Sequence, residues 1–165
     1  MNRKFRMLVM LVVVSGVVSC HSSSHSAAVL KPAPDFSLTD ISGHALRLAD
    51  FHGKVIVLDF WATWCEPCKQ EIPRLIDMQN RFSAQGLQVV GISMDDSEPP
   101  VRTFQQTFKM NYPVAVGTPQ LADQYGGVLG LPITFVIDRE GRIVSRHIGA
   151  VDFSVIEADV KKQLS

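Results

Sequence analysis

The sequence predicts an α/β fold: a central sheet with helices on both faces. Residues 55–62 are apolar at almost every position, which is typical of a strand covered by helices on both sides. Residues 66–85 follow at once, and their apolar side chains repeat with a period close to that of a helix. Strand-like and helix-like segments then alternate to the C-terminus, which favours a single α/β domain.

The first part of the domain is predicted to be a β-hairpin, because residues 35–48 carry apolar side chains on two arms joined by Ser42-Gly43. The central strand 55–62 follows. In the helix 66–85, Pro73 removes one backbone hydrogen bond, so we expect a kink there. Gly86 is a suitable end for this helix. The apolar face of the helix consists of Ile72, Leu75, Ile76 and Phe82.

The remaining elements are predicted from apolar periodicity and from glycine and proline positions. In order they are a buried strand (87–93), a helix around residues 101–108 that ends at Asn111, a short strand (112–116), a short helix from Thr118 to Gly126-Gly127, a two-stranded hairpin (133–137 and 143–148) and a final helix (152–164). The sequence shows no internal repeat.

The length of the chain suits one domain preceded by a leader. The chain has 165 residues, of which 46% are hydrophobic and 19% charged, and its formal net charge is zero. This composition is sufficient for a packed core. Nucleic-acid binding is not expected, since it requires a basic face.

Residues 1–19 are predicted to be a signal peptide, with a basic start followed by an apolar stretch. The segment Val17-Val18-Ser19-Cys20 resembles a bacterial lipobox, which implies a lipid on Cys20, a polar tether over residues 20–32 and a folded domain over 33–165. A plain signal peptide or an uncleaved anchor remains the alternative. We therefore expect an extracytoplasmic lipoprotein on the periplasmic side of either the inner or the outer membrane.

The chemistry of the chain is concentrated in Cys65-Glu66-Pro67-Cys68. Cys65 is predicted at the start of a helix, where unpaired backbone N–H groups favour a thiolate. Pro67 suits the first turn, since its missing N–H is not needed there. Cys68 lies one turn further on, so the two sulfurs can form a disulfide. A structural bridge is the alternative, and Cys–His zinc spacing is absent.

Two motifs resemble the thioredoxin superfamily. Residues 59–68, DFWATWCEPC, are similar to its active-site signature, and residues 131–138, LPITFVID, are similar to its cis-proline segment. The Glu-Pro centre with KQEIP at residues 69–73 resembles the TlpA/ResA branch. This resemblance implies a thioredoxin-like fold with a mixed central sheet and a helix–strand insertion before the cis-proline.

The resemblance also implies roles for individual residues. Cys65 would be the nucleophile and Cys68 the resolving thiol. Asp59 is predicted to be buried, where a carboxyl favours its neutral form and can exchange a proton; thioredoxins assign this role to the matching aspartate. A local hydrogen bond or a buried water is the alternative for Asp59. Glu71 matches a glutamate that influences the thiols in ResA-like proteins, although a surface charge near a helix start is equally expected.

Substrate docking is predicted from the residues around the cysteines. Pro132 is expected to be cis, and the backbone of Leu131 would pair with an extended peptide; an ordinary turn proline is the alternative. Trp64 is expected to be partly exposed for docking, while Glu66 and Pro67 border the same site. Trp61 is expected in the core. The five histidines show no metal-ligand spacing and are expected to be at the surface or incidental, and Asp95-Asp96-Ser97-Glu98 is expected to be a solvated helix cap.

The resulting hypothesis is a monomeric thiol–disulfide oxidoreductase that reduces partner proteins. By resemblance, the partners are apocytochrome c or copper-chaperone thiols, and a membrane thiol donor returns the electrons. No cofactor or metal is expected, since the disulfide carries the two electrons.

One alternative is a peroxiredoxin-like peroxidase, disfavoured because Leu58 and Ala62 stand where such enzymes have proline and threonine. The other is a non-enzymatic Sco-like copper chaperone using the thiols with His147, disfavoured by the cysteine spacing.

Overall fold

The computed structural model of the protein describes residues 30–165. The predicted signal peptide, the lipidation site Cys20 and residues 20–29 of the predicted tether lie outside the described residues. The described strands are β1 (Lys31–Pro32), β2 (Ser37–Thr39), β3 (Ala45–Arg47), β4 (Val55–Trp61), β5 (Leu87–Ser93), β6 (Val114–Val116), β7 (Ile133–Ile137) and β8 (Arg142–Ile148). The helices are α1 (Glu66–Phe82), α2 (Glu98–Phe108), α3 (Pro119–Gln124) and α4 (Phe153–Leu164).

Six of these strands form one mixed sheet in the order β1-β8-β7-β4-β5-β6. The β4–β5 and β5–β6 pairs are parallel, and the β4–β7, β7–β8 and β1–β8 pairs are antiparallel. Strands β2 and β3 form a separate hairpin, as the sequence predicted. The central position of β4 brings the start of α1, and therefore the cysteines, to the end of a strand whose seven residues are all buried.

The apolar side chains form one core on each face of the sheet. On one face, β4 packs against α1 and α4 through side chains that include Val57, Trp61, Leu75 and Ile156. On the other face, β4 and β7 pack against the hairpin and α3. The side chains that alternate along β4 therefore enter different cores, which explains why this strand is apolar throughout.

Most predicted boundaries agree with the structure to within a few residues, and three details differ. Lys31 and Pro32, assigned to the tether from sequence, pair with β8 at the edge of the sheet. A proline is compatible with an edge strand, which need not donate every N–H. Helix α1 ends at Phe82 instead of Gln85, because Ser83–Gln85 form a 3₁₀ turn. Helix α2 ends before Lys109, which has a left-handed φ of 53°, rather than at Asn111.

The insertion predicted before the cis-proline is present as α2 and β6, between β5 and α3. Within residues 30–165, none of the helices has the length and apolar character needed to span a membrane.

Candidate active site

Cys65 and Cys68 form a disulfide at the first turn of α1, with their Cα atoms 5.3 Å apart. Cys65 is the N-cap residue: its sulfur accepts a hydrogen bond from the Cys68 backbone N–H at 3.3 Å. This contact places one unpaired N–H of the helix start against sulfur, where it favours a negative charge. Cys65 is 4% exposed and Cys68 is 1% exposed, so Cys65 is the more accessible of two largely covered residues.

The other residues of the motif lie at the rim of this site. Pro67 is in the first turn of α1, a position where its missing N–H costs no hydrogen bond. Glu66 is exposed and forms an ion pair with Lys69 at 3.1 Å. The positions of Glu66 and Pro67 agree with the sequence prediction. Because it is exposed, the Glu66–Lys69 ion pair contributes little to stability.

Two buried carboxyl groups, Asp59 and Glu71, meet at a single hydroxyl. The Oγ1 atom of Thr134 lies 2.9 Å from Glu71 Oε1 and 3.3 Å from Asp59 Oδ1. Asp59 is 1% exposed and Glu71 is 9% exposed. The expectation of a buried Asp59 agrees with the structure, and the surface alternative for Glu71 does not. Because Glu71 follows Cys68 by three residues in α1, the two residues lie on the same face of the helix, about one turn apart.

Burial raises the pKa of both carboxyl groups. For Asp59 the pKa lies well above its usual value, first because of desolvation and second because of the neighbouring Glu71 charge, while the Thr134 hydroxyl opposes the shift. For Glu71 the pKa is also raised by desolvation and lowered in part by Thr134. Both groups therefore hold protons more tightly than an exposed carboxyl does, which suits proton exchange with a thiol.

Thr134 is a site residue that the sequence interpretation did not identify. It occupies β7 directly opposite Asp59 of β4, and it is 1% exposed. The available signal was a lone hydroxyl in the otherwise apolar strand Ile133–Ile137. Buried polar groups require partners, so this threonine indicated a second polar side chain nearby.

Asp95 was also misinterpreted from sequence, because it does not cap α2. Its carboxylate accepts hydrogen bonds from the Thr63 backbone N–H at 2.9 Å, the Thr63 hydroxyl at 2.6 Å and the Ser93 hydroxyl at 2.7 Å. Asp95 is 9% exposed, whereas Asp96 is exposed. Since Thr63 directly precedes Trp64 and Cys65, Asp95 fixes the loop that carries the first cysteine.

The segment before β7 lies at the same end of the sheet as the cysteines, because Ile133 pairs with Phe60 near the end of β4. The Leu131–Pro132 peptide bond is cis, and the Pro132 carbonyl accepts a hydrogen bond from the Gly149 N–H at 2.7 Å. Leu131 is half-buried. Trp64 is 67% exposed, in contrast to the fully buried Trp61, whose ring packs against Phe104.

A cavity of about 240 Å³ opens beside the start of α1. Its lining includes Pro67, Glu71, Arg74 and Asp152. The Glu71 end of the carboxyl pair therefore borders a space that solvent or a partner can enter, while Asp59 does not line this cavity.

The described histidines differ in exposure. His44 and His52 are exposed, but the His147 side chain is only 11% exposed and its Nε2 atom lies 3.0 Å from Asp159 Oδ2. The pair joins β8 to α4, which gives His147 a partner other than the thiols. Over residues 30–165, no group of three or more His, Cys, Asp and Glu side chains is arranged to hold a metal ion.

The peroxidase alternative finds no support in the side chains before Cys65. Leu58 and Ala62 are both fully buried and apolar, so neither supplies the hydroxyl that the corresponding threonine would provide. The Ala62 contact with Cys65 is made by its backbone carbonyl, which accepts the Cys65 N–H at 3.1 Å.

A helix-capping disulfide after a central strand, a cis-proline segment and this mixed sheet define a thioredoxin-like thiol–disulfide oxidoreductase. The chain belongs to the AhpC/TSA family, whose model matches residues 29–146. It is similar to the thiol-disulfide oxidoreductase ResA of Bacillus subtilis (strain 168), with 38% identity over 125 residues that cover 75% of this chain and 69% of that protein.

Solved structures of thiol–disulfide proteins are also similar to this chain. A putative thiol:disulfide interchange protein DsbE from Chlorobium tepidum has 34% identity and a TM-score of 0.77, covering 82% of this chain and 97% of that one. A secreted thiol-disulfide isomerase from Corynebacterium glutamicum has 26% identity and a TM-score of 0.73, covering 80% and 84%. The protein is therefore a thiol–disulfide oxidoreductase of the ResA/DsbE type.

Proposed function

We propose that the protein reduces disulfides in partner proteins outside the cytoplasm, with Cys65 as the nucleophile and Cys68 as the resolving thiol. The observation that carries the proposal is the position of Cys65 at the N-cap of α1, with its sulfur accepting the Cys68 N–H at 3.3 Å. The same contact stabilises a Cys65 thiolate in the reduced protein. Cys68 is inside the helix and almost fully covered, so its attack is confined to Cys65.

The reaction is a pair of thiol–disulfide exchanges. The Cys65 thiolate attacks one sulfur of the partner disulfide, forming a mixed disulfide and releasing the other partner sulfur as a thiolate. Cys68 then gives up its proton and attacks Cys65, which forms the Cys65–Cys68 bond and releases the second partner thiolate. Two electrons move to the partner, and the carboxyl pair that includes Glu71 can accept the proton that this thiol loses.

Docking follows from the surface beside the disulfide. The exposed indole of Trp64 offers an apolar contact. Leu131, next to Pro132, offers backbone hydrogen bonds to an extended peptide. Glu66 and Pro67 border this surface. A partner must present its cysteine in a flexible segment, because Cys65 is only 4% exposed.

The partners and location are proposed from the resemblance and the leader sequence. The partner thiols would belong to apocytochrome c or copper-chaperone proteins, and a membrane thiol protein would re-reduce the disulfide. The basic and apolar residues 1–19 and the lipobox-like Cys20 support an exported lipoprotein. The Corynebacterium glutamicum relative is described as secreted, which is consistent with this location.

The equilibrium reduction potential of Cys65–Cys68 tests the proposed direction. The full-length protein is equilibrated with glutathione and then with dithiothreitol buffers, and the free thiols are counted by alkylation. A potential near that of thioredoxin, about −270 mV, supports a reductant, whereas a potential near that of a strong oxidase, about −120 mV, would reverse the direction. Since about 30 mV corresponds to 1.4 kcal/mol for two electrons, the assay separates these values clearly.

A further inference from the structure

Thr134 contacts both buried carboxyl groups, Asp59 and Glu71, through one hydroxyl. This shared contact limits how many protons the two carboxyl groups hold. The Thr134 Oγ1 atom is 2.9 Å from Glu71 Oε1 and 3.3 Å from Asp59 Oδ1. A hydroxyl has one proton to donate and two lone pairs that accept. If both carboxyl groups were ionised, Thr134 could donate to only one of them, and two negative charges would face the same oxygen in a buried place.

A single added proton satisfies all three groups. When one carboxyl is protonated, it donates to Thr134 Oγ1, and Thr134 donates in turn to the other carboxylate. Reversing both hydrogen bonds moves the protonated end from one carboxyl to the other without moving any heavy atom far. The two contacts therefore have the geometry of a proton relay.

The two ends of the relay differ in access to solvent. Asp59 is 1% exposed in the strand at the centre of the sheet, whereas Glu71 lines the cavity of about 240 Å³ beside Pro67. Arg74 and Asp152 line the same cavity. Protons can therefore enter and leave at Glu71 while Asp59 remains sealed inside the core.

We propose that Asp59, Thr134 and Glu71 form a relay that holds one shared proton and exchanges protons with solvent through Glu71, with Thr134 as the positioning residue. This inference rests on the proposed function of Cys65 and Cys68.

During resolution, the Cys68 S–H proton passes to the ionised carboxylate of the pair. The Cys65–Cys68 bond forms, the bond from Cys65 to the partner sulfur breaks, and its electron pair leaves with the partner thiolate. Glu71 then releases one proton to the cavity, where solvent or the departing thiolate accepts it.

Other ionisable groups around the relay come from several elements. Tyr112, which precedes β6, is buried, and its pKa is raised well above the usual value by desolvation and further by the Asp59 and Glu71 charges, so it stays neutral. His147 of β8 is opposite Thr134 in register and is bound to Asp159 of α4. Arg74 and Asp152 line the cavity. These groups are unchanged in the variants used below.

The test compares Thr134→Val, which keeps the shape and removes the hydroxyl, with Thr134→Ser, which keeps the hydroxyl. Resolution is followed from pH 5 to 10 by mixing the reduced protein with a peptide disulfide, quenching with acid at intervals, and measuring by mass spectrometry how fast the Cys65–peptide mixed disulfide decays to the oxidised protein. For Thr134→Val we expect the rate at pH 6–7 to fall at least tenfold, since positioned proton transfer contributes about 10²–10⁴ in rate. The difference should disappear at high pH, where the Cys68 thiol ionises without help. Thr134→Ser should retain the wild-type profile.

Infrared difference spectra of the reduced and oxidised protein provide a second measurement. It uses the wild type and therefore does not depend on whether a variant folds. We expect a protonated carboxyl C=O band that persists to neutral pH, shifts in D₂O and is altered in both Asp59→Asn and Glu71→Gln. The absence of this band at neutral pH would overturn the relay, as would a wild-type pH profile in a folded Thr134→Val. A Thr134→Ser profile equal to that of Thr134→Val would also overturn it.

The relay and the proposed function fail in different assays. If wild-type protein forms no mixed disulfide through Cys65, the proposed function is wrong. If the mixed disulfide forms and resolves normally in Thr134→Val at every pH, the function stands and the relay is wrong.

Discussion

Replacing Asp95 with alanine should destabilise the protein and slow the reaction of Cys65, although Asp95 is not part of the cysteine motif. Its carboxylate accepts three hydrogen bonds, two from Thr63 and one from Ser93, at 2.6–2.9 Å. Thr63 directly precedes Trp64 and Cys65, so the loss of these bonds releases the loop that carries Cys65.

The magnitude follows from the type and burial of these bonds. A hydrogen bond to a charged group contributes about 1.5–3 kcal/mol, and a buried donor left without a partner costs about 1–3 kcal/mol. These contributions are not additive, because water can enter the space that alanine leaves and the two hydroxyls can rotate. We therefore expect Asp95→Ala to lower the free energy of unfolding by about 3 kcal/mol. Asp95→Asn keeps one acceptor oxygen and should lose about 1 kcal/mol.

The assay is urea unfolding of the oxidised protein, paired with the rate at which reduced protein attacks a chromogenic disulfide. Asp96→Ala is the matched control, because Asp96 is the adjacent carboxylate and is exposed. The control should stay within about 0.5 kcal/mol of the wild type. The rate for Asp95→Ala should fall severalfold at a denaturant concentration where the variant is still folded.

The reasoning would be refuted if Asp95→Ala and Asp96→Ala unfolded at the same urea concentration. Stability lost without any change in the Cys65 rate would refute only the positioning role, and Asp95 would then serve the fold alone.

Three further predictions concern the cysteines and the buried acid. Cys68→Ser should accumulate a mixed disulfide with an oxidised CxxC peptide, whereas Cys65→Ser should accumulate none by mass spectrometry. Asp59→Asn should stabilise the protein above the ordinary aspartate pKa of about 3.9, by about 1.4 kcal/mol for each unit by which folding raises that pKa. Cys20→Ser should move the protein from the membrane fraction to the soluble fraction of cells that express the full chain.

The sign of the Asp59 effect follows from proton linkage. The folded protein binds the Asp59 proton more tightly than the unfolded chain, so wild-type stability falls as the pH rises from the unfolded pKa to the raised folded pKa. Below the unfolded pKa both states are protonated, and the advantage of Asp59→Asn should vanish. Asp96→Asn serves as the exposed control. A stability gain for Asp59→Asn that is equal at pH 3 and pH 7 would contradict the burial argument.

The predictions for Cys65, Cys68 and Cys20 would each be contradicted by one result. A trapped species in Cys65→Ser but not in Cys68→Ser would reverse the assignment of nucleophile and resolving thiol. Membrane association unchanged by Cys20→Ser would exclude the lipid as the anchor.

Much of the fold was predictable because its signals are local. The apolar run 55–61 indicated a doubly covered strand, and a cysteine before Pro67 indicated a helix start; both depend on residues close together in sequence. Even the partition between Trp61 in the core and Trp64 at the surface follows from local position, because Trp61 ends the doubly covered strand β4 and Trp64 lies after it. At the site, the errors occurred where a hydrogen bond joins residues that are distant in sequence.

The sequence by itself determined the class of fold, the redox-active pair Cys65 and Cys68, and the burial of Asp59. Only the tertiary structure decided the partners of the acids: Thr134 is 75 residues from Asp59 and 63 from Glu71, and Asp95 is 32 residues from Thr63. The physical reason is that hydrogen-bond partners of buried groups are set by strand register and by the packing of α1 on the sheet. A pattern along one segment shows that a polar side chain is buried, but the side chain that satisfies it is brought there by the rest of the fold.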